Sequence, residues 1–271
     1  MKANDKLGEK AKQIRLEVLE KSFLTGKAHL GSTFSVCDIL VSLFYGNLMN
    51  INSANVNKSD RDRFILSKGH ACLAIYSIYK DIGLINKKTF DTYGKDGGLG
   101  GQLDMSVPSV DFNTGSLGHA VSVGCGIALS AKLNGYKQRV FVIMGDSELF
   151  EGSVWEGIIF AGDNHLENLI CIVDRNRFMV TDEITSNSIY LNFKIKIESF
   201  GWNYFEMDGH NFKNIQETVT NARRSKGPSM IVANTIKGKG VSFMENGLGW
   251  YTQTPTSEEY KKAKGELENG Q

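Results

Sequence analysis

The chain has 271 residues, 41% of them hydrophobic, which is enough to bury one large core. Neither a Pro- or Gly-rich linker nor a repeat divides it, so we predict a single domain over residues 1–271. The formal net charge is +1 and the basic residues are scattered among acidic ones, which argues against a nucleic-acid-binding face and against a polybasic membrane patch. Small molecules and other proteins are the partners to expect.

The sequence shows no targeting or spanning segment. Residues 1–6 are polar, and the most apolar window, 34–49, contains Asp38 and is too short to cross a bilayer. The cysteines are isolated in apolar segments, without the C-x-x-C spacing of a metal site, which indicates reduced thiols in the core. A cytoplasmic protein is therefore predicted. The four cysteines are Cys37, Cys72, Cys125 and Cys171.

Helical and strand patterns alternate along the chain. Apolar residues at helical spacing predict packing helices within 7–23 and 36–44, and later helices are predicted at 117–133 and 214–224. Short apolar runs between them predict strands, and this order predicts an α/β fold with a parallel sheet and helices on both faces. The predicted strands are 63–67, 140–144, 169–173, 203–207 and 230–233.

Two of these strands run into polar turns that could hold a ligand. Gly145 and Asp146 follow one strand, and Asn176 lies 30 positions after Asp146, at the end of the next. The carboxyl ends of parallel strands share one edge of a sheet, where ligands of α/β proteins bind. Asp and Asn offer hard oxygen ligands, and a glycine lets the backbone approach a phosphate closely. The pattern predicts a Mg²⁺-diphosphate site.

The two turns resemble the thiamine diphosphate motif, a Gly-Asp-Gly followed at a similar distance by an Asn, and the surrounding sequence is similar to the transketolase family. The resemblance implies the thiamine diphosphate-binding fold, with Mg²⁺ (or Ca²⁺) held by Asp146, Asn176 and the backbone carbonyl of Phe178. Gly145 and Ser147 would line the cofactor. Ser147 replaces the second glycine of the motif, and if that position needs a positive φ, the serine strains the turn by about 1 kcal/mol.

Further sequence motifs extend the resemblance to the transketolase family. The turns around His29 and His70 match the two histidine turns of the family, including a Ser-Lys-Gly-His-Ala string. They imply a catalytic His29 that faces the substrate, and a catalytic His70 that also contacts the diphosphate. A Thr-Gly-Ser-Leu-Gly loop implies backbone contacts to the cofactor from Gly115 and Leu117. A Lys-Gly-Lys-Gly loop after the last predicted strand implies a diphosphate contact from Lys237.

Two acids and two replaced histidines complete the predicted site. Glu151 and Glu156 open a predicted helix, where carboxylates complement the helix dipole. Their Glu-Gly-x-x-Trp-Glu string resembles the family's, which implies a catalytic carboxylate network linking two active sites across a dimer interface. Gln102 and Tyr251 stand where many relatives have substrate-site histidines, so the resemblance implies substrate contacts from side chains that do not titrate near neutral pH.

The resemblance covers nearly the whole chain but only part of a full-length transketolase. Those proteins carry a second, pyrimidine-binding domain and a third, carboxy-terminal domain. The chain thus resembles the N-terminal subunit of a split, two-gene transketolase, which implies a second subunit with the missing domains in an α2β2 assembly. The implied activity is thiamine diphosphate-dependent transfer of a two-carbon ketol unit from a ketose donor to an aldose acceptor, the cofactor carrying the chemistry.

Three alternatives remain open. A transketolase-like acyl transferase with pyruvate or another 2-oxo acid as donor is consistent with Gln102 and Tyr251 in a changed donor pocket. A 2-oxo acid dehydrogenase subunit would share the cofactor motif, but the Ser-Lys-Gly-His and Lys-Gly-Lys-Gly strings favour the transketolase branch. A non-catalytic relative would have lost cofactor binding, and the departures at Ser147, Gln102 and Tyr251 keep this alternative open. Against it stand the retained site residues Asp146, Asn176, His29, His70 and Glu151.

Overall fold

The computed structural model describes residues 3–27, 29–179, 182–184 and 189–270. Its strands are β1 (Arg63–Leu66), β2 (Val140–Gly145), β3 (Leu169–Arg175), β4 (Asn203–Asp208) and β5 (Ser229–Asn234). They form one parallel sheet in the order β1-β2-β3-β5-β4. All five predicted strands and the predicted α/β class are confirmed, and each strand ends within two residues of its predicted bound.

Helices cover both faces of the sheet, as predicted. Alternate side chains of β2 enter two cores: Phe141 and Ile143 pack on one side, and Val142 and Met144 on the other. Strands buried on both faces are continuous apolar runs, which is why they could be predicted. The helices in the described ranges are α1 (Ala3–Thr25), α2 (Leu30–Tyr45), α3 (Cys72–Asp81), α4 (Lys87–Phe90), α5 (Ala120–Leu133), α6 (Gly152–Asp163), α7 (Phe193–Ser199), α8 (Phe212–Ala222) and α9 (Ser257–Asn269).

The start of α5 differs from the prediction. The pattern predicted a helix from residue 117, whereas α5 begins at Ala120. Gly115 and Gly118 have φ angles of 131° and 83°, which a right-handed helix cannot contain. A Cβ on Gly118 would also lie 2.7 Å from Cβ of Glu151. The glycines therefore keep the segment before Ala120 as a loop, at the edge of the sheet where the predicted site lies.

The structure can be compared with two further predictions, that the cysteines are reduced core thiols and that the sequence contains no membrane-spanning segment. All four cysteines are free and buried, which confirms the predicted core thiols. In the part of the chain that the structure describes, no helix is both long enough and apolar enough to cross a bilayer. The assignment of residues 1–271 to a single domain stays a prediction.

Gly162 is a packing-critical position in the last turn of α6. A Cβ added there would overlap the carbonyl oxygen of Phe200, a backbone atom that cannot rotate away. We expect Gly162→Ala to lower the free energy of unfolding by about 3 kcal/mol, measured by urea denaturation. Gly265→Ala in α9 is the matched control, because a Cβ there meets nothing within 4 Å, and it should stabilise slightly. Equal midpoints for the two variants would contradict this packing argument.

Candidate active site

The site lies at the carboxyl ends of β2 and β3, which are neighbours in the middle of the sheet. Gly145 pairs with Asp174 in the register, so the turns after these strands lie side by side. Asp146 and Asn176 are both buried there, 1% and 4% exposed. The Asp146 carboxylate accepts the backbone N–H of Arg177 at 2.7 Å, which joins the two turns directly. The structure thus brings together the two side chains predicted to bind a metal.

In the described part of the chain, the buried carboxyl group of Asp146 has no basic side chain in direct contact with it. Besides the Arg177 N–H, its carboxylate accepts the backbone N–H of Ser147, at 3.0 Å. Among the described residues, no Lys, Arg or His nitrogen lies within 4.0 Å of this carboxylate. Burial, and then the neighbouring Asp174 carboxylate, raise the pKa of Asp146 to about 7. A divalent cation bound here would favour the ionised form, and a carboxylate with amide and carbonyl oxygens is a donor set that suits Mg²⁺ or Ca²⁺.

Asp174, by contrast, is balanced by a cation that sequence reasoning missed. It is fully buried and forms an ion pair with the equally buried Lys68. Burial alone would raise the pKa of Asp174, but the Lys68 ammonium and its hydrogen bonds hold that pKa below its ordinary value. It also accepts the Ser35 hydroxyl at 2.6 Å and the Thr235 hydroxyl. The sequence does contain a signal for this network, because Asp174 stands near the end of the apolar strand β3. A carboxylate buried in that position requires a cation or hydrogen-bond donors as partners.

Asn176 is oriented by these neighbours. Its side-chain nitrogen lies 3.3 Å from Asp174, and its oxygen accepts the backbone N–H of Phe178 at 3.1 Å. Because the nitrogen turns toward the acid, the amide oxygen is directed to the Phe178 side. This is the atom that a metal would use.

Glu148 is a second buried acid that the sequence analysis left unassigned. Its carboxylate accepts the backbone N–H groups of Gly145 at 2.8 Å and Gly118 at 2.9 Å, and also the Ser67 hydroxyl. Burial raises its pKa above the ordinary value. One side chain therefore ties together the Asp146 turn, the glycine loop before α5 and the turn that carries His70.

The positive φ that would strain Ser147 is not present in the structure. Ser147 lies within a 3-10 helix, Asp146–Phe150, and is not among the residues with a positive φ. The preceding Gly145 is extended, with φ −80° and ψ 155°, and the chain enters the 3-10 turn directly after it. A serine is compatible with that backbone, and the replacement carries no conformational penalty.

Three rings cluster above these turns. The centroid of His29 lies 5.3 Å from that of His70 and 4.7 Å from that of Tyr251, and His70 lies 5.7 Å from Tyr251. Burial lowers the pKa of His29. Burial, and then the Lys68 ammonium, hold the pKa of His70 well below its ordinary value. Both imidazoles are therefore neutral near pH 7, and each can offer one N–H and one lone pair.

Lys237 places a second buried ammonium beside the cavity. It is 1% exposed, and its Nζ donates to the backbone oxygen of Met179 at 3.3 Å and lies 5.2 Å from the ring centroid of Phe178. Burial lowers its pKa, and nearby Lys68 adds to this effect. Two buried cations around a cavity suit an anion such as a diphosphate. The cavity is lined by Ser32, Lys68, His70, Leu117, Gly145, Asp146, Ser147, Glu148, Asn176, Phe178, Met179 and Tyr251.

Three further predicted residues, Gln102, Glu151 and Glu156, do not line this cavity. The Gln102 side chain packs beneath Gly115, 3.1 Å from an added Cβ, and its Oε1 is buried without a partner in the described ranges. Glu151 is the exposed residue before α6 and lies beside Gly118. Glu156 is exposed on α6. The predicted carboxylate pair therefore faces outward from this chain.

Comparison with known proteins gives consistent matches. Residues 8–267 match the family described as transketolase, thiamine diphosphate binding domain. An apulose-4-phosphate transketolase subunit of Phocaeicola vulgatus is 34% identical, over 92% of this chain and 89% of that protein. A 6-deoxy-6-sulfo-D-fructose transketolase subunit of Clostridium sp. is 36% identical, over 97% and 96%. The solved Campylobacter jejuni transketolase superposes with a TM-score of 0.85 at 25% identity, and this chain spans only 42% of it.

Proposed function

The chain belongs to the transketolase family, and we propose that it is the N-terminal, diphosphate-binding subunit of a split transketolase. The complete enzyme transfers a two-carbon ketol unit from a ketose donor to an aldose acceptor. The observation that carries this proposal is the buried Asp146 carboxylate, which has no direct ion-pair partner among the described residues. It lies in a cavity lined by the buried Lys68, and the buried Lys237 contacts Phe178 and Met179 of the same lining. That pairing of an unbalanced acid with nearby cations fits a metal and a diphosphate bound together.

The metal would be held by residues of adjacent turns. Asp146, the Asn176 side-chain oxygen and the Phe178 backbone carbonyl provide three oxygen ligands for Mg²⁺ (or Ca²⁺). Phosphate oxygens and water would fill the other positions, as is usual for Mg²⁺. The residues that would contact the cofactor itself are His70, Gly115, Leu117, Gly145, Ser147 and Lys237.

Thiamine diphosphate, when bound, supplies the nucleophilic carbon and the electron sink that cleavage of a bond beside a ketone requires. This chain anchors and orients it. Neutral His29 and His70 can each accept or donate a proton at one ring nitrogen, which suits transfer to and from sugar hydroxyls. We assign substrate contacts to His29, Tyr251 and Gln102. Of these, Tyr251 lines the cavity and packs against both histidines.

A second subunit completes the proposed enzyme. The related proteins are themselves named as subunits, which supports a partner carrying the pyrimidine-binding and carboxy-terminal domains in an α2β2 heterotetramer. Glu151 and Glu156 are exposed and would enter a carboxylate network at its interface. Phe150 and Phe160, each 43% exposed, flank them and would be covered there. Four free thiols support a cytoplasmic location.

The test is a donor comparison with the complex of this chain and its pyrimidine-domain subunit. Donors are xylulose 5-phosphate, apulose 4-phosphate, 6-deoxy-6-sulfo-D-fructose and pyruvate, each with Mg²⁺ and thiamine diphosphate. We expect kcat/KM for the best ketose to exceed that for pyruvate by at least about a hundredfold, because a site that binds hydroxyls rejects a donor lacking them. A preference for pyruvate would instead support the acyl transferase.

Two variants make the assay specific. Asp146→Ala should abolish turnover with every donor, since it removes the only carboxylate among the proposed metal ligands. Glu217→Ala, which changes an exposed acid in α8, should leave turnover unchanged. A wild-type complex that neither binds thiamine diphosphate nor turns over any donor would identify a non-catalytic relative.

A further inference from the structure

A partly buried histidine outside the cavity contacts the loop that carries Lys237. His210 follows β4, and its Nδ1 lies 2.6 Å from Oδ2 of Asp38 in α2. Its other ring nitrogen, Nε2, lies 2.9 Å from the backbone nitrogen of Ile236, the residue just before Lys237. A backbone N–H can only donate, so Nε2 must be the acceptor. The proton is therefore on Nδ1 and is donated to Asp38.

Asp38 is itself held rigidly. Arg15 donates to both of its carboxylate oxygens, at 2.7 and 2.8 Å, and also to the backbone oxygen of Phe34 at 2.9 Å. Arg15 and Asp38 are 7% and 5% exposed. A bidentate arginine fixes the plane of the carboxylate, and the carboxylate in turn fixes the ring orientation and the tautomer of His210.

The Lys237 loop, residues 235–238, is fixed by hydrogen bonds on both sides of Ile236. The Thr235 hydroxyl donates to Asp174, and the Gly238 backbone N–H donates to the carbonyl oxygen of Gly31 at 2.9 Å. A Cβ added to Gly31 would lie 3.1 Å from Cγ of Lys237, so the lysine stem runs directly over the start of α2. The bond from Ile236 to His210 is the attachment nearest to Lys237 on its amino-terminal side.

We propose that His210 is a positioning residue that, through the lone pair of Nε2, fixes the Ile236 backbone and so aims the Lys237 ammonium at the bound diphosphate. The inference rests on the proposed function, because it assigns the diphosphate as the target of Lys237. Lysine has four rotatable bonds, and a fixed stem reduces the entropy lost when its ammonium binds a phosphate. Nothing else in the described ranges accepts the Ile236 N–H.

Two substitutions separate positioning from general support of the fold. In His210→Asn, the amide nitrogen can occupy the place of Nδ1 and keep the bond to Asp38, but the side chain is too short to reach Ile236. In His210→Gln, the amide oxygen can reach the place of Nε2 and accept the Ile236 N–H. We expect His210→Asn to weaken thiamine diphosphate binding to the complex by roughly tenfold, and His210→Gln to retain most of the wild-type affinity. Calorimetric titration in excess Mg²⁺ measures the affinity.

Hydrogen exchange supplies a readout that does not depend on the cofactor. The Ile236 amide should exchange faster in His210→Asn than in the wild type, and near the wild-type rate in His210→Gln. In a Lys237→Met background, His210→Asn should cause no further loss of affinity, because its effect acts through Lys237. His165→Asn, an exposed histidine beyond the end of α6, is the control and should change neither quantity.

The outcomes are distinct. Equal losses of thiamine diphosphate affinity in His210→Asn and His210→Gln, in proportion to their losses in melting temperature, would show a merely structural role and overturn the proposal. Unchanged affinity and exchange in His210→Asn would also overturn it. A wild-type complex that does not bind thiamine diphosphate removes the proposed function, and with it this role. The affinity of the wild-type complex for thiamine diphosphate therefore distinguishes failure of the proposed function from failure of the His210 role.

Discussion

Asp146→Asn is expected to abolish Mg²⁺-dependent binding of thiamine diphosphate while making the cofactor-free chain more stable at pH 8. Without a metal, the folded protein holds Asp146 at a pKa of about 7, against 3.8 ordinarily, because of burial and then Asp174. A raised folded pKa contributes stability that is fully present below pH 4 and is lost as the pH rises through 7. The ionised carboxylate thus costs the cofactor-free protein about 4 kcal/mol at alkaline pH.

The side chain introduced by Asp146→Asn is uncharged. Its single amide oxygen replaces only one of the two carboxylate oxygens that each accept a backbone N–H hydrogen bond in the wild type. The backbone N–H left without an acceptor lowers the free energy of unfolding of the variant by about 2 kcal/mol. At pH 8 the variant should therefore be more stable than the wild type by about 2 kcal/mol. At pH 5 it should have no advantage, because the wild-type carboxyl is then protonated in the folded protein. Urea unfolding at both pH values, in EDTA and in Mg²⁺, measures this. Parallel pH profiles for wild type and variant would contradict the assignment of Asp146 as an unbalanced buried acid.

Lys68→Met is expected to lower the free energy of unfolding by about 4 kcal/mol at pH 7, because it leaves the Asp174 carboxylate buried without its cation. The lost stability should be partly regained as the pH falls, since Asp174 can then bind a proton. The double variant Lys68→Met/Asp174→Asn should recover part of the loss, as removal of both charges leaves no uncompensated ion.

Lys87→Met is the matched control for this ion-pair prediction. Lys87 pairs with Asp91 on the surface, where the side chains are 80% and 40% exposed, so its loss should leave the urea midpoint unchanged. Similar midpoint shifts in Lys68→Met and Lys87→Met would mean that the buried pair stabilises no more than a surface pair.

The strands and the ligand turns could be predicted because their signals are local. The apolar runs of β2 and β3 are buried on both faces and end where the first polar side chain appears, at Asp146 and Asp174. The thiamine diphosphate motif also lies in these two turns. The conditional strain at Ser147 does not arise, because the backbone follows a 3-10 turn there and does not need a positive φ.

Local signals along the chain were thus sufficient to predict the strands, the fold class and the residues at the carboxyl edge of the sheet. The packing of the elements against one another determines which distant groups meet there. Lys68 and Asp174 are 106 residues apart, and His210 and Asp38 are 172 apart. Such pairs depend on strand order: β5 inserts between β3 and β4, which brings the Lys237 loop beside both Asp174 and His210. Hydrophobic periodicity reports which face of an element is buried and not its neighbour, so it carries no information on these contacts.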